Sequence, residues 1–137
     1  MKKEKQENIK EAGEVIVSRH DIIDIPIGTH EGVIADVSKR VSEGEEVYNY
    51  LSINVDLTDI KSDGDPISLN MGFPLNLSTA SGLGKLLIAS GFDINSKKDY
   101  TISDFRNILL HKKIRFLTDK NERGFSNILR DTVRFIG

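Results

Sequence analysis

Two tyrosines lie one strand step apart in the stretch EEVYNYLSINVDLTD, residues 45–59. Successive side chains of an extended strand point to opposite faces. Tyr48 and Tyr50 fall in the polar phase, opposite the apolar set Leu51, Ile53, Val55 and Leu57. If the apolar set faces the core, both rings face outward, where stacking on a nucleic-acid base contributes roughly 1–3 kcal/mol per base. The alternative is ordinary cross-strand packing, because tyrosine is favoured in strands and neighbouring cations stabilise it there.

Basic side chains near the end of the sequence could supply the phosphate contacts that such a surface needs. In KKIRFLT, residues 112–118, an inward Ile114 and Phe116 place Lys113 and Arg115 on the outside. We predict that six residues line one outward surface that binds single-stranded nucleic acid: Tyr48, Tyr50, Lys113, Arg115, Arg130 and Arg134.

The last two of these residues come from FSNILRDTVRFIG, which is predicted to be one strand over residues 125–136. The mostly apolar phase is predicted to face the core: Asn127, Leu129, Asp131, Val133 and Phe135. The other phase then faces outward: Ile128, Arg130, Thr132 and Arg134. Asp131 interrupts the apolar phase and marks a position for a β-bulge.

The sequence contains no residue set that favours catalysis or metal binding. His20, His30 and His111 are far apart and share no ligand spacing, so each is interpreted as a surface or strand histidine. SGLGK resembles a phosphate-binding loop, but Thr79 replaces its first glycine and Leu86 replaces the hydroxyl residue that holds Mg²⁺. DIKSDGD departs from a calcium loop and fits a turn. We expect no enzyme activity, no catalytic or metal-binding residues and no cofactor.

The composition bounds the class of protein. The chain has 137 residues, which fits one domain, and no cysteine, which excludes disulfides and thiolate metal sites. No run of about 18 apolar residues is present, so no membrane span is predicted. The first residues also lack the apolar segment of a secretory signal. We expect a cytoplasmic protein that does not bind membranes.

Charge is unevenly distributed, although the formal net charge is only -2. Residues 21–105 carry six Lys or Arg against fourteen Asp or Glu, whereas residues 106–137 carry eight against three. A basic C-terminal quarter indicates a polyanionic partner. The alternative is a solvated surface that is simply uneven.

Periodicity predicts the elements that position these residues. Period-two alternation predicts strands at residues 29–39, 47–58, 66–74, 113–118 and 125–136. In the first strand, one phase comprises Thr29, Glu31, Val33, Ala35 and Val37; in the third, the inward residues are Ile67, Leu69, Met71 and Phe73. A shorter leading strand is predicted before Pro26.

A change of period to 3.6 predicts a helix near residues 81–90. Leu83, Leu86 and Leu87 are spaced i, i+3, i+4, with a serine before them and Gly91 after. The stretch TISDFRNILLHKK is predicted to add one or two helical turns, with Phe105, Ile108 and Leu109 inward.

The predicted fold class is all-β with one short helix, a five-stranded OB-like barrel whose helix lies between strands 3 and 4. The same order of elements is compatible with other small β barrels and with α+β sheets. Residues 14–137 are predicted to form a single OB-like domain, and residues 1–13 a charged flexible tail.

The chain resembles the OB-fold, single-stranded-DNA-binding-like proteins of phages and other mobile elements. The similarity covers about residues 25–136 and rests on IPIGTHEGVIADV, YLSINVDL, SGLGKLLIASGFD, KKIRFLT and KNERGFSNILRDTVRF. His30 departs from the aromatic residue that is usual at its position, and His111 from a glycine. The resemblance implies an OB barrel and single-strand binding in replication or recombination.

Two functions stay open from the sequence. The first is a module that binds single-stranded nucleic acid. The resemblance favours DNA, and the sequence itself does not decide between DNA and RNA. The second is a structural or protein-interaction domain on an OB-like scaffold, whose partner is a second copy of the chain or another protein. The acidic middle of the sequence favours the second, because phosphates are repelled there.

Overall fold

The structure, a computed structural model, describes residues 25–60 and 64–137. The predicted tail at residues 1–13 and the leading strand as far as residue 24 lie outside the described residues. The strands are β1 (Gly28–Val41), β2 (Asn49–Leu57), β3 (Ser68–Pro74), β4 (Lys113–Lys120), β5 (Ser126–Ile128) and β6 (Arg134–Ile136). The helices are α1 (Gly82–Ala89), α2 (Ile102–Leu109) and a 3₁₀ turn (Arg130–Thr132). The predicted all-β class is therefore broadly confirmed, with two short helices between β3 and β4 instead of one.

The strands form one antiparallel sheet in the order β3–β2–β1–β4–β5, and β6 also pairs with β4. β1 is long enough to pair with two neighbours: its residues 28–33 pair with β4 and its residues 32–41 pair with β2. β5 and β6 pair with opposite ends of β4. The long central strand thus fixes where the outer faces of β2 and β4 lie relative to each other.

A bulge in β1 changes which side chains face the core. The register with β2 shifts between Ile34 and Asp36, so Ala35 has no direct partner. His30 and Ile34 are buried before the shift and Val37 after it. Of the alternating set from Thr29 to Val37, only Val37 is therefore buried. The reason is that a bulge inserts one residue and reverses the alternation.

The predicted apolar phases of the next strands are confirmed. The members of the β2 set are all buried: Leu51, Ile53, Val55 and Leu57. The buried members of the β3 and β4 sets are Met71, Phe73, Ile114 and Phe116, while Ile67 and Leu69 pack against the core from its margin. These residues, with leucines from α1, form the hydrophobic core.

Both helices follow from local signals. The Ser81 hydroxyl accepts a hydrogen bond from the Gly84 N–H at the start of α1, and Gly91, at φ +90°, follows its end. α2 begins at a capping box in which Thr101 and Asp104 each satisfy the other's backbone N–H. The predicted helix near 81–90 is confirmed, and the additional turns form a separate helix.

The single strand predicted over residues 125–136 is wrong. A 3₁₀ turn separates two three-residue strands, and the Thr132 hydroxyl accepts the Leu117 N–H (2.9 Å) that a continuous strand would have paired. Ile128, predicted to face outward, is buried, whereas Leu129 is exposed. Val133 is buried as predicted, because the turn restores the original phase beyond Asp131.

Within the described residues, the hydrogen-bonded sheet is not closed into a barrel. β3 and β5 lie against each other without ladder pairing, and Arg130 crosses this seam. None of the helices in the described part of the chain is long and apolar enough to cross a membrane.

Candidate nucleic-acid interface

The two tyrosines form a paired aromatic surface at the start of β2. Tyr48 is 56% exposed and Tyr50 is partly buried, and their ring centroids lie 6.1 Å apart with the planes tilted by 54°. The Tyr48 N–H donates to the Ser42 hydroxyl (2.9 Å), and the Tyr48 carbonyl accepts from the Ser42 N–H (2.8 Å). The β1–β2 loop therefore fixes the backbone that carries the more exposed ring.

The Tyr50 ring packs against Gly72 on β3. A Cβ atom at this position would lie 3.2 Å from a ring carbon of Tyr50, closer than ordinary van der Waals contact. The absence of a side chain at Gly72 therefore allows the Tyr50 ring to approach the β3 backbone closely.

Arg40, which sequence reasoning missed, lies directly opposite Tyr50 in the β1–β2 register. Directly opposed residues of antiparallel strands project to the same face, and Arg40 is exposed. Ser52, the next residue of β2 on this side, is buried, and its hydroxyl donates to the Asn70 side chain (3.1 Å). The bulge in β1 aligns Arg40 with the tyrosine, and no signal within β1 itself marks that alignment.

Arg130 adjoins the tyrosine surface from the other side of the seam. Its Nη1 donates to the Gly72 carbonyl oxygen (2.5 Å), and its guanidinium carbon lies 5.5 Å from the centre of the Phe73 ring. Gly72 is therefore contacted by both Tyr50 and Arg130. These contacts hold the guanidinium at the edge of β3, at the glycine against which the Tyr50 ring packs, while the side chain remains exposed.

Three other predicted site residues lie together along β4 and β6. Arg115 and Arg134 are directly paired across these strands, and Lys113 pairs with Ile136. Arg115 Nη2 lies 2.8 Å from a carboxylate oxygen of Glu31, so its charge is already compensated. Arg134 donates to the Val133 carbonyl oxygen (2.9 Å).

The register separates this group from the tyrosines across the sheet. Tyr50 lies opposite Arg40, whereas Lys113 lies opposite Val33 on the same strand. These two β1 positions are roughly 20 Å apart at about 3.3 Å per residue. Of the six predicted residues, Tyr48 and Tyr50 are in contact, and Arg130 is connected to them through Gly72. Lys113, Arg115 and Arg134 lie on β4 and β6, and the Arg134 side chain also lines a pocket beside Arg130.

His30 is engaged in a structural network. Its Nδ1 lies 2.8 Å from a carboxylate oxygen of Asp59 and its Nε2 lies 2.6 Å from the Pro26 carbonyl oxygen. Burial opposes protonation, but the hydrogen bonds to Pro26 and Asp59 outweigh burial and raise the pKa of His30 above 6.5. Both nitrogens are thus occupied, and no cluster of three or more His, Cys, Asp or Glu suited to a metal occurs among the described residues.

Comparison with known proteins does not assign the chain to a family. No protein-family model matches the sequence, and no curated protein matches it as a relative.

Proposed function

We propose that the chain binds single-stranded nucleic acid, DNA in the first instance, through the outer face around Tyr48 and Tyr50. The observation that carries this proposal is the adjacent pair of tyrosine rings, with Arg40 opposite Tyr50 in the strand register and Arg130 bonded to Gly72, against which Tyr50 packs. The bases of both DNA and RNA have flat faces that stack on aromatic rings. Guanidinium groups bind the phosphates that link the nucleotides. The module would act where single strands are exposed, in replication or recombination.

An OB-like scaffold is part of this proposal. The sheet order leaves β3 and β5 as neighbours across one seam, which is the arrangement expected of a five-stranded barrel that is partly open. In such barrels the second and third strands and the adjoining loops carry the ligand. Tyr50 and Asn70 lie on those two strands.

Fluorescence anisotropy with a labelled oligo-dT strand at two salt concentrations tests the proposal. Binding should weaken with salt, with a slope of log affinity against log salt of about -0.7 for each phosphate contacted. Tyr48→Ala should weaken binding by roughly 1–3 kcal/mol with little change in that slope, because stacking releases no counterions. Tyr48→Phe is the matched control and should bind like the parent, since it keeps the ring. Absence of binding by the parent at low salt would refute the proposal.

A protein-interaction domain is the second candidate, and the β1–β2 loop favours it. Three glutamates, Glu43, Glu45 and Glu46, lie in the loop that leads to the tyrosines, and Val47 is 71% exposed. Acidic side chains repel phosphates, and exposed apolar side chains are common at protein interfaces. If the same anisotropy experiment shows no salt-dependent binding, this candidate gains.

A further inference from the structure

A groove lies between α1, the end of β3 and the segment that follows β5. Its volume is about 730 Å³. The lower wall is apolar and includes Phe73, Leu86 and Val133, all buried in the core. The remaining lining residues include three cations and one acid: Lys85, Arg130, Arg134 and Asp131. The side chains around the groove therefore favour an anionic ligand.

Lys85 comes from the SGLGK stretch, whose phosphate-loop pattern is incomplete. In α1 the neighbouring Leu83, Leu86 and Leu87 are buried, which turns Lys85 outward into the groove. The Lys85 side chain is exposed. It takes part in none of the ion pairs between residues that the structure describes. An ammonium that is not neutralised by a carboxylate remains available to a phosphate.

Arg130 makes the groove continuous with the tyrosine surface. The same side chain that bonds the Gly72 carbonyl, next to the Tyr50 ring, also lines the groove. A strand that stacks on Tyr50 and places a phosphate on Arg130 has therefore reached the entrance of the groove.

The opposite direction along β2 is electrostatically unfavourable. Asp56 lies at that end of the outer face, where its carboxylate accepts from the Ser68 hydroxyl (2.6 Å), and Asp36 lies opposite Asn54. Acidic side chains raise the energy of a nearby phosphate. A strand can continue from the tyrosine surface in either of these two directions. The direction toward the cationic groove is the electrostatically favourable one.

We propose that a bound single strand runs from the tyrosines past Arg130 into the α1 groove, where Lys85 and Arg134 bind its phosphates. The inference rests on the proposed function and adds a path, a new contact residue and a dependence on strand length. A short oligonucleotide occupies the tyrosine surface alone, whereas a longer one also occupies the groove.

Titrations with labelled dT4 and dT12, each over a series of salt concentrations, test this path. For the parent, the salt slope should be steeper with dT12 than with dT4. Lys85→Gln should reduce the magnitude of the dT12 slope by about 0.7 and leave the dT4 slope unchanged. Lys98→Gln, an exposed lysine outside the groove lining, is the matched control and should change neither slope.

The outcomes separate the path from the function. If the parent binds both oligonucleotides but Lys85→Gln and Lys98→Gln give the same dT12 slope as the parent, the path is overturned and the tyrosine site stands. If Tyr48→Ala weakens dT4 and dT12 while Lys85→Gln affects only dT12, the path is supported. If the parent binds neither strand, the proposed function fails and the path fails with it.

Discussion

At the scale of single residues, the tyrosine surface depends on the absence of a side chain at Gly72. A side chain at Gly72 would meet the Tyr50 ring at 3.2 Å, and the Gly72 carbonyl receives the Arg130 guanidinium. Gly72 therefore determines how closely the Tyr50 ring approaches the sheet and where the Arg130 guanidinium is bound. The Tyr48 ring is the more exposed of the two and is therefore more accessible for stacking.

His111 carries a conformational strain that a substitution should relieve. It has φ +68°, a left-handed conformation that favours glycine, and it lies just after α2, where its N–H donates to the Ile34 carbonyl oxygen (2.8 Å). His111→Gly should raise the free energy of unfolding by about 0.5–1 kcal/mol, because relief of strain exceeds the entropic cost of glycine. Denaturant unfolding measures the change.

His111→Ala serves as the control for that experiment. Alanine removes the imidazole but keeps the Cβ atom that causes the strain, so its stability should stay near that of the parent. An equal gain with alanine would show that loss of the imidazole, and not relief of φ, is responsible.

At the scale of elements, His30 joins the start of β1 to the turn after β2. The imidazolium donates to both the Pro26 carbonyl and the Asp59 carboxylate, which the neutral ring cannot do at once. Because the folded pKa lies above the unfolded value, this contribution is fully present below about pH 6.5 and is lost as the pH rises through the folded pKa.

The pH dependence of stability should therefore differ between the parent and His30→Gln. Thermal unfolding between pH 5 and 8 should show the parent gaining stability over the variant as the pH falls. The difference should become smaller as the pH rises through the folded pKa. A difference that stays constant across this range would show that His30 does not titrate in it.

The elements that sequence periodicity predicts well are those whose patterns are local. The inward sets of β2 and β4 and the helix α1 follow from spacing alone, because alternation and the i, i+3, i+4 pattern are properties of one segment. The β1 bulge at Ala35 and the 3₁₀ turn at Arg130–Thr132 depend on partners elsewhere in the chain.

The candidate site was predictable to the same extent. Outward tyrosines follow from the phase of β2, and the exposed sides of Lys113 and Arg115 follow from β4. The position of Arg40 beside Tyr50 depends on register between strands, and the Arg130 contact with Gly72 depends on how the sheet curves. Neither is encoded within a single segment.

At the scale of the whole molecule, charge is divided between two regions of the surface. The basic C-terminal quarter supplies Arg130 and Arg134 to the groove, whereas acids occupy the β1–β2 loop and the far end of β2. Such a distribution gives separate parts of the surface opposite local potentials without a large net charge. The proposed path runs from the tyrosines to the groove, that is, away from the acidic end of β2 and toward the basic residues.

Arg130 also holds the two edges of the open sheet together, which leads to a prediction about the seam. β3 and β5 share no ladder hydrogen bonds. Arg130 connects the two edges through its hydrogen bond to Gly72 and its cation–π contact with Phe73. Arg130→Ala should lower the free energy of unfolding by about 1 kcal/mol. It should also accelerate hydrogen exchange of the β3 and β5 amides, because an edge strand that loses its partner opens locally.

Arg134→Ala is the matched control for the seam, because the Arg134 guanidinium donates to the carbonyl oxygens of Asp131 and Val133 and not to β3. It removes the same charge from the groove but should leave exchange in β3 at the parental rate. Arg130→Lys keeps the charge without the planar fork that spans Gly72 and Phe73, so it should loosen the seam while retaining much of the salt dependence of binding. If exchange in β3 is equally slow in all three variants, the seam is held by core packing and Arg130 serves the ligand alone.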